Sequence, residues 1–195
     1  VRSRRDARRE HVTLVLAKMK IGVLADTHVP DMLPGLPARV LELFNGVDII
    51  LHAGDVTDLG VLQQLEPIAQ TFAVYGDRDS ALVRQYLEEN QRLTFGGRAV
   101  GLVHGHRAWE GSMLRKLAYR LNARRRTETL LGYVQRQFTD VDVVVFGHSH
   151  APYMKMHGNT LLFNPGSLLP RFGRVGSVGL LEINATAIKG RIVAI

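Results

Sequence analysis

The chain has 195 residues, 46% of them apolar and 22% charged, which is enough for one well-buried core and an ordinary globular composition. It contains no cysteine, which excludes disulfide frameworks and thiolate metal sites and leaves His, Asp, Glu or Asn to hold any ion. No apolar run reaches the roughly 18–20 residues that span a bilayer, and a cytoplasmic protein fits the cysteine usage.

The net charge of +7 is unevenly spread. Residues 1–18 carry six basic and two acidic groups, residues 113–139 carry seven and one, and the remainder carries twelve and fifteen. The body is therefore mildly acidic, with a basic tail and one basic helical segment attached, so the net charge alone does not mark a nucleic-acid-binding fold. "VTLVLA" in the tail is too short for a signal sequence, and Lys18 and Lys20 stand where a small-residue cleavage site belongs. Met19 opens "MKIGVLADTHVP", which reads as a natural start. Residues 1–18 are expected to be a dispensable extension, and residues 19–195 a single domain.

From Lys20 strands and helices alternate. "KIGVLAD" reads as a strand, "LPARVLELFNG" as a helix stopped at Gly46, and "VDIILHAGD" as a second strand. "DLGVLQQLEPIA" is helical up to the limit set by Pro67, "QTFAVYGD" is a third strand, and residues 80–90 form a helix capped by Ser80. "RLTFGGRAVGLVHG" is a hairpin around Gly96-Gly97, residues 112–138 are helical in two pieces, and "VDVVVFGHSH" is a buried strand. Four short β runs follow: "PYMKM", "TLLF", "SVGLLEI" and "IKGRIVAI". Alternation followed by a β meander predicts two packed sheets flanked by helices.

Five of the predicted strands end on groups able to bind metal. These are Asp26-Thr27-His28, Gly54-Asp55, Gly76-Asp77, His104-Gly105-His106 and Gly147-His148-Ser149-His150. Ligands of α/β sheets gather beyond the carboxyl ends of strands, where glycine lets the backbone crowd an ion. Singly, these motifs are weak: D-x-H arises by chance, and G-D is usually a turn. Together, so many Asp and His groups at one edge would repel one another without cations, and two divalent ions are the natural remedy.

The order D-x-H, G-D, G-D-x-D, H-G-H and G-H-x-H, followed by "NPGS", resembles the calcineurin-like metallophosphoesterases, and among them the small bacterial and archaeal phosphodiesterases related to the Vps29 scaffold of the retromer coat. The resemblance runs from about Met19 to the C-terminus. It implies a four-layer α/β/β/α fold and a dinuclear centre of Mn²⁺ or, alternatively, Ni²⁺, Zn²⁺ or Fe. Asp26, His28 and His150 are then expected to hold one ion and Asp77, His104 and His148 the other, with Asp55 bridging and thereby catalytic. Two such ions, roughly 3.5–4 Å apart, share a water whose hydroxide attacks phosphorus in line. Asn164 and Ser167 match the family's loop beside the cleft and are expected to contact substrate, as is Arg171 through its fork of donors. His106 is expected to face the site, either on substrate or orienting His104. His52 reads equally as a core histidine or as a ligand's orienting partner, and His11 and His157 read as surface residues.

The sequence departs from the family at three places. Asp77 replaces an asparagine, which adds a negative charge and removes an N–H donor for phosphate. Arg78 stands where many members have a histidine that assists the leaving group; it cannot release a proton at neutral pH, but it can offset Asp77 and bind a phosphate oxygen. The segment between His106 and Gly147 reads as an insert. Leu114, Leu117, Ala118 and Leu121 line one helical face, opposite Arg115, Lys116, Arg120 and Arg124. That face is either a solvated surface or a lid that guides phosphates. A phosphodiesterase of small or nucleotide-like substrates is the leading expectation. The alternatives are a Vps29-like non-catalytic metal-binding scaffold and a nucleic-acid-processing enzyme that uses the basic helix.

Overall fold

A computed structural model describes residues 18–111, 122–169 and 175–195. Expectations about residues 1–17, the helical face at Leu114–Leu121, and Arg171 lie outside the described residues.

In chain order the elements are β1 (Met19–Leu24), α1 (Ala38–Phe44), β2 (Ile49–Ala53), α2 (Gly60–Leu65), β3 (Gln70–Val74), α3 (Ala81–Tyr86), β4 (Asn90–Phe95) and β5 (Arg98–Val103). A 3₁₀ turn (His106–Trp109), α4 (Ala123–Arg136), β6 (Val143–Phe146), β7 (Tyr153–His157), β8 (Thr160–Asn164), β9 (Ser177–Ile183) and β10 (Ile188–Ala194) complete them. The strands form two five-stranded sheets, ordered β10-β9-β1-β2-β3 and β4-β5-β6-β8-β7. β1, β2 and β3 run parallel, as do β5, β6 and β8, with antiparallel strands at β9–β10, β4 and β7.

The apolar strands are nearly continuous because both of their faces are covered. Ile49 and Leu51 of β2, with Val143 and Val145 of β6, point into the core between the sheets. Ile50 points outward to Val40 and Phe44 of α1 and Leu65 of α2. Val144 and Phe146 point the other way, to Leu130 and Val134 of α4. The result is the expected helix–sheet–sheet–helix layering.

Local signals explain most boundaries. Ser80 Oγ accepts from Val83 N at 3.3 Å and caps α3, and Gly96 and Gly97 take φ of 55° and 79° in the β4–β5 turn. Two expectations change. The helix expected over residues 80–90 ends at Tyr86, because Glu88 leaves it to bridge Val74 and its carbonyl accepts from Tyr75 N at 3.0 Å. The C-terminal strands also do not form one meander. β7 and β8 complete one sheet, and the chain then crosses to the open edge of β1, where β9 and β10 add to the other.

Candidate metal centre

The parallel strands of both sheets deliver their carboxyl ends to the same edge, and the loops there are bound to one another. Asp26 N donates to Gly54 O at 3.0 Å, His28 N to Asp55 O at 3.2 Å, and Gly147 N to His104 O at 3.2 Å. Close packing requires glycine beneath them. A Cβ on Gly76 would lie 2.7 Å from the His104 ring and from Asp55 N, and one on Gly54 would lie 2.6 Å from His104 Nδ1. Asp26, His28, Asp55, His148 and His150 all have positive φ, between 51° and 67°. Such left-handed backbone costs a non-glycine residue roughly 1–2 kcal/mol, so five of them at one edge amount to strain that the surrounding hydrogen bonds must hold.

The side chains converge in two groups: Asp26, His28, Asp55 and His150, and then Asp77, His104 and His148. His28 Nε2 and His150 Nε2 are 3.2 Å apart, and His150 Nε2 is 3.4 Å from Asp26 Oδ1. In the second group, Asp77 Oδ1 lies 3.3 Å from His104 Nε2 and 3.1 Å from His148 Nδ1. Asp55 Oδ2 sits between the groups, 3.7 Å from His28 Nε2 and 3.5 Å from His104 Nε2. His104 Nδ1 is 2.8 Å from the Ala53 carbonyl, which places a ring proton there and leaves Nε2, buried with no hydrogen-bond partner, as the atom that would turn to a cation once its own proton is displaced. Lone-pair atoms spaced this way suit ions with bonds of roughly 2.0–2.2 Å, so the donor set fits divalent metal.

Carboxylates and imidazoles at this edge lie close enough to shift one another's protonation. Burial drives Asp26 well above the usual carboxylate range, and Asp55 and Asp77 add to the rise although His104 opposes it. Burial also opposes protonation of His104, yet Asp55, Asp77 and Asp26 hold it well above an ordinary imidazole. Burial would raise Asp77, but His104 and His148 hold it below its normal range. An edge in which carboxylates and imidazoles pull against one another is one that cations would relieve.

Around the two groups lie residues that fix the loops. Asp79 accepts from the backbone N–H of Asp55, Gly76 and Thr57 at 3.1, 2.6 and 2.5 Å. Arg84 donates to the carbonyls of Asp79 and Asp77 at 3.0 and 2.9 Å, clamping the same turn. His52 is fully buried, with Nε2 3.1 Å from Thr27 Oγ1, so it supports the Asp26–His28 loop from the core. Asn164 and Ser167 are buried too. Asn164 Nδ2 donates to Gly147 O at 2.8 Å, its Oδ1 accepts from Gly166 N at 2.9 Å, and Ser167 Oγ donates to Asp26 O at 2.8 Å. Their polar atoms are engaged in these hydrogen bonds. Arg78 is exposed at the mouth, with its N–H donating to Asp55 Oδ1 at 2.8 Å. His106 stands beside His104, ring centres 5.6 Å apart, and burial together with the His104 charge pushes it down to about 4. His157 pairs with Tyr153 OH at 2.7 Å, away from these motifs.

Arg84, Thr27 and Trp109 have supporting contacts here that the sequence alone did not assign to them. Only Trp109 left a signal: it is the chain's single tryptophan and stands three residues past His106.

The calcineurin-like phosphoesterase superfamily domain matches residues 19–186. The chain belongs to that superfamily. A probable metallophosphoesterase of Methanothermobacter thermautotrophicus is 33% identical, with 90% of this chain and 92% of the relative aligned. A phosphodiesterase of Methanocaldococcus jannaschii is 26% identical over 84% of this chain and 93% of its own. Among solved structures, wild-type Vps29 of Entamoeba histolytica complexed with Zn²⁺ superposes with a TM-score of 0.64 at 26% identity, covering 90% of this chain and 99% of that one. This calcineurin-like phosphoesterase therefore shares its fold with proteins named as enzymes and with Vps29.

Proposed function

We propose that this phosphoesterase is a metal-dependent phosphodiesterase of small or nucleotide-like phosphodiesters, contained in a single domain from residue 19 onward. Asp26, His28 and His150 hold one divalent ion and Asp77, His104 and His148 the other, with Asp55 shared. The observation that carries this reading is the completeness of the set: every position holds a competent ligand, and all converge in two adjoining groups. Mixed His and carboxylate ligands suit Mn²⁺, Fe, Ni²⁺ or Zn²⁺, and Mn²⁺ is the ion proposed. Bound there, the ions supply a water of lowered pKa and neutralise charge on the phosphoryl oxygens.

The chain's own groups do the rest. Arg78 at the mouth anchors a phosphate oxygen and offsets Asp77. His106, neutral at pH 7, accepts a hydrogen bond at the cleft and carries no charge of its own to draw phosphate. Asn164 and Ser167 position the loops that bear His148 and Asp26 and remain proposed substrate contacts. Arg171 remains a proposed phosphate contact. No proton donor stands at position 78 to assist a departing alkoxide, so esters with acidic leaving groups are preferred. Nitrophenyl esters should react much faster than alkyl esters, and equal rates would count against this assignment.

The test is hydrolysis of bis-p-nitrophenyl phosphate by metal-stripped protein given Mn²⁺, Ni²⁺ or Zn²⁺, beside Asp55→Asn. Turnover by the wild type and its loss in the variant support the proposal. Inactivity with every metal favours a Vps29-like scaffold. Oligonucleotide binding that weakens steeply with salt would instead point to a nucleic-acid substrate tracked by the basic segment.

A further inference from the structure

Trp109 lies outside the ligand set, at the end of the 3₁₀ turn that begins with His106. Its ring centre is 4.2 Å from that of His148, at an interplanar angle of 40°. The indole is fixed from α4: its Nε1–H donates to the Arg126 carbonyl at 3.2 Å, and the Arg126 guanidinium stands 4.2 Å from the ring centre. The turn is packed against the same helix, since Ala108 and Trp109 share a cluster with Leu130 and Val134.

His148 needs such support. A ligating histidine is generally oriented by a hydrogen bond from its other ring nitrogen. His104 has that bond, to the Ala53 carbonyl. His148 presents Nδ1 to Asp77, 3.1 Å away, and among the described residues no hydrogen bond to its Nε2 is found. Its backbone has φ of 67°, so the main chain around it is strained as well. What remains to fix the ring is the tilted contact with Trp109 and an edge contact with His104, centres 5.0 Å apart at 71°.

We infer that Trp109 is a positioning residue for the second ligand group, holding the His148 ring in ligating orientation by ring contact where His104 uses a hydrogen bond. Through Arg126 it ties the start of α4, and so the basic segment, to the candidate metal centre. This inference rests on the metal-centre reading above.

The test uses full-length, metal-stripped wild type, Trp109→Phe, Trp109→Ala and His148→Ala, with Ni²⁺ binding followed by equilibrium dialysis and elemental analysis. Wild type should bind two ions. Trp109→Ala should keep one and bind the second about tenfold to a hundredfold more weakly, while its metal-free urea midpoint shows it folded. Trp109→Phe should restore the second ion, because a phenyl ring retains the ring contact. A spectroscopic arm is available because Trp109 is the only tryptophan: Ni²⁺ should quench its emission in wild type and not in His148→Ala. Equal binding by Trp109→Ala and wild type, failure of Trp109→Phe to rescue, or quenching indifferent to His148→Ala would overturn the inference and leave the metal-centre reading standing. A wild type that binds no metal would overturn both.

Discussion

Asp77 stands where the resemblance leads one to expect an asparagine. Its carboxylate approaches His104 and His148 at 3.3 and 3.1 Å, so as the proposed ligand it would strengthen the hold on a cation while making the site less attractive to an anionic substrate. Asp77→Asn should keep the fold and raise kcat/KM for bis-p-nitrophenyl phosphate about fivefold, corresponding to about 1 kcal/mol of transition-state stabilisation. A fall in kcat/KM with metal content unchanged would show that the carboxylate itself takes part in the reaction.

A second residue makes a prediction through pH. Burial, with His104 and His28 adding to it, pushes His52 down to about 3, whereas the unfolded imidazole titrates near 6.5. The unfolded state therefore binds the extra proton between these values. The contribution is fully present above about pH 6.5 and is lost as pH falls towards 3, at up to about 1.4 kcal/mol per pH unit. In His52→Gln, whose amide can still meet Thr27, the urea midpoint of metal-free protein should fall less between pH 6.5 and 4.5 than in wild type. Parallel pH profiles would contradict this account of His52.

At the scale of elements, the loops carry the strain and their supports carry the site. Asp79 gathers three backbone N–H groups from two different strand ends, and hydrogen bonds to a charged acceptor are worth more than neutral ones. Asp79→Ala should cost about 3–5 kcal/mol of unfolding free energy and weaken metal binding, with Asp79→Asn intermediate because it keeps one acceptor oxygen. A loss in Asp79→Ala no larger than a surface substitution, about 0.5 kcal/mol, would mean that the turn is held by Arg84 and the main chain alone.

The same comparison shows why some features were legible in the sequence and others were not. Strand ends were readable because an apolar run that stops on Gly-Asp or Gly-His changes character within one residue. The end of α3 was not, since the pull of Glu88 towards Val74 is a long-range pairing with no local mark. Asn164 and Ser167 matched a motif, but nothing local marks the hydrogen bonds their side chains make to Gly147 and Asp26, which are long-range. The positive φ of Asp26, His28, Asp55, His148 and His150 had no signature either, because nothing in these residue types requires it. It arises only where two sheets force the loops together.

For the whole molecule, the two sheets make the site by meeting. The first ligand group draws Asp26, His28 and Asp55 from the ends of β1 and β2 and His150 from beyond β6; the second draws Asp77 from beyond β3 and His104 and His148 from the other sheet. Neither sheet holds a complete set, so ions bound there would join the sheets as well as serve chemistry. The measurement that bears most directly on this account is turnover of bis-p-nitrophenyl phosphate as Mn²⁺ is returned stepwise to metal-stripped protein. The account predicts no turnover without metal and a rise that levels off at two equivalents per chain. Turnover that is already present without metal, or that is absent when both equivalents are bound, would contradict it.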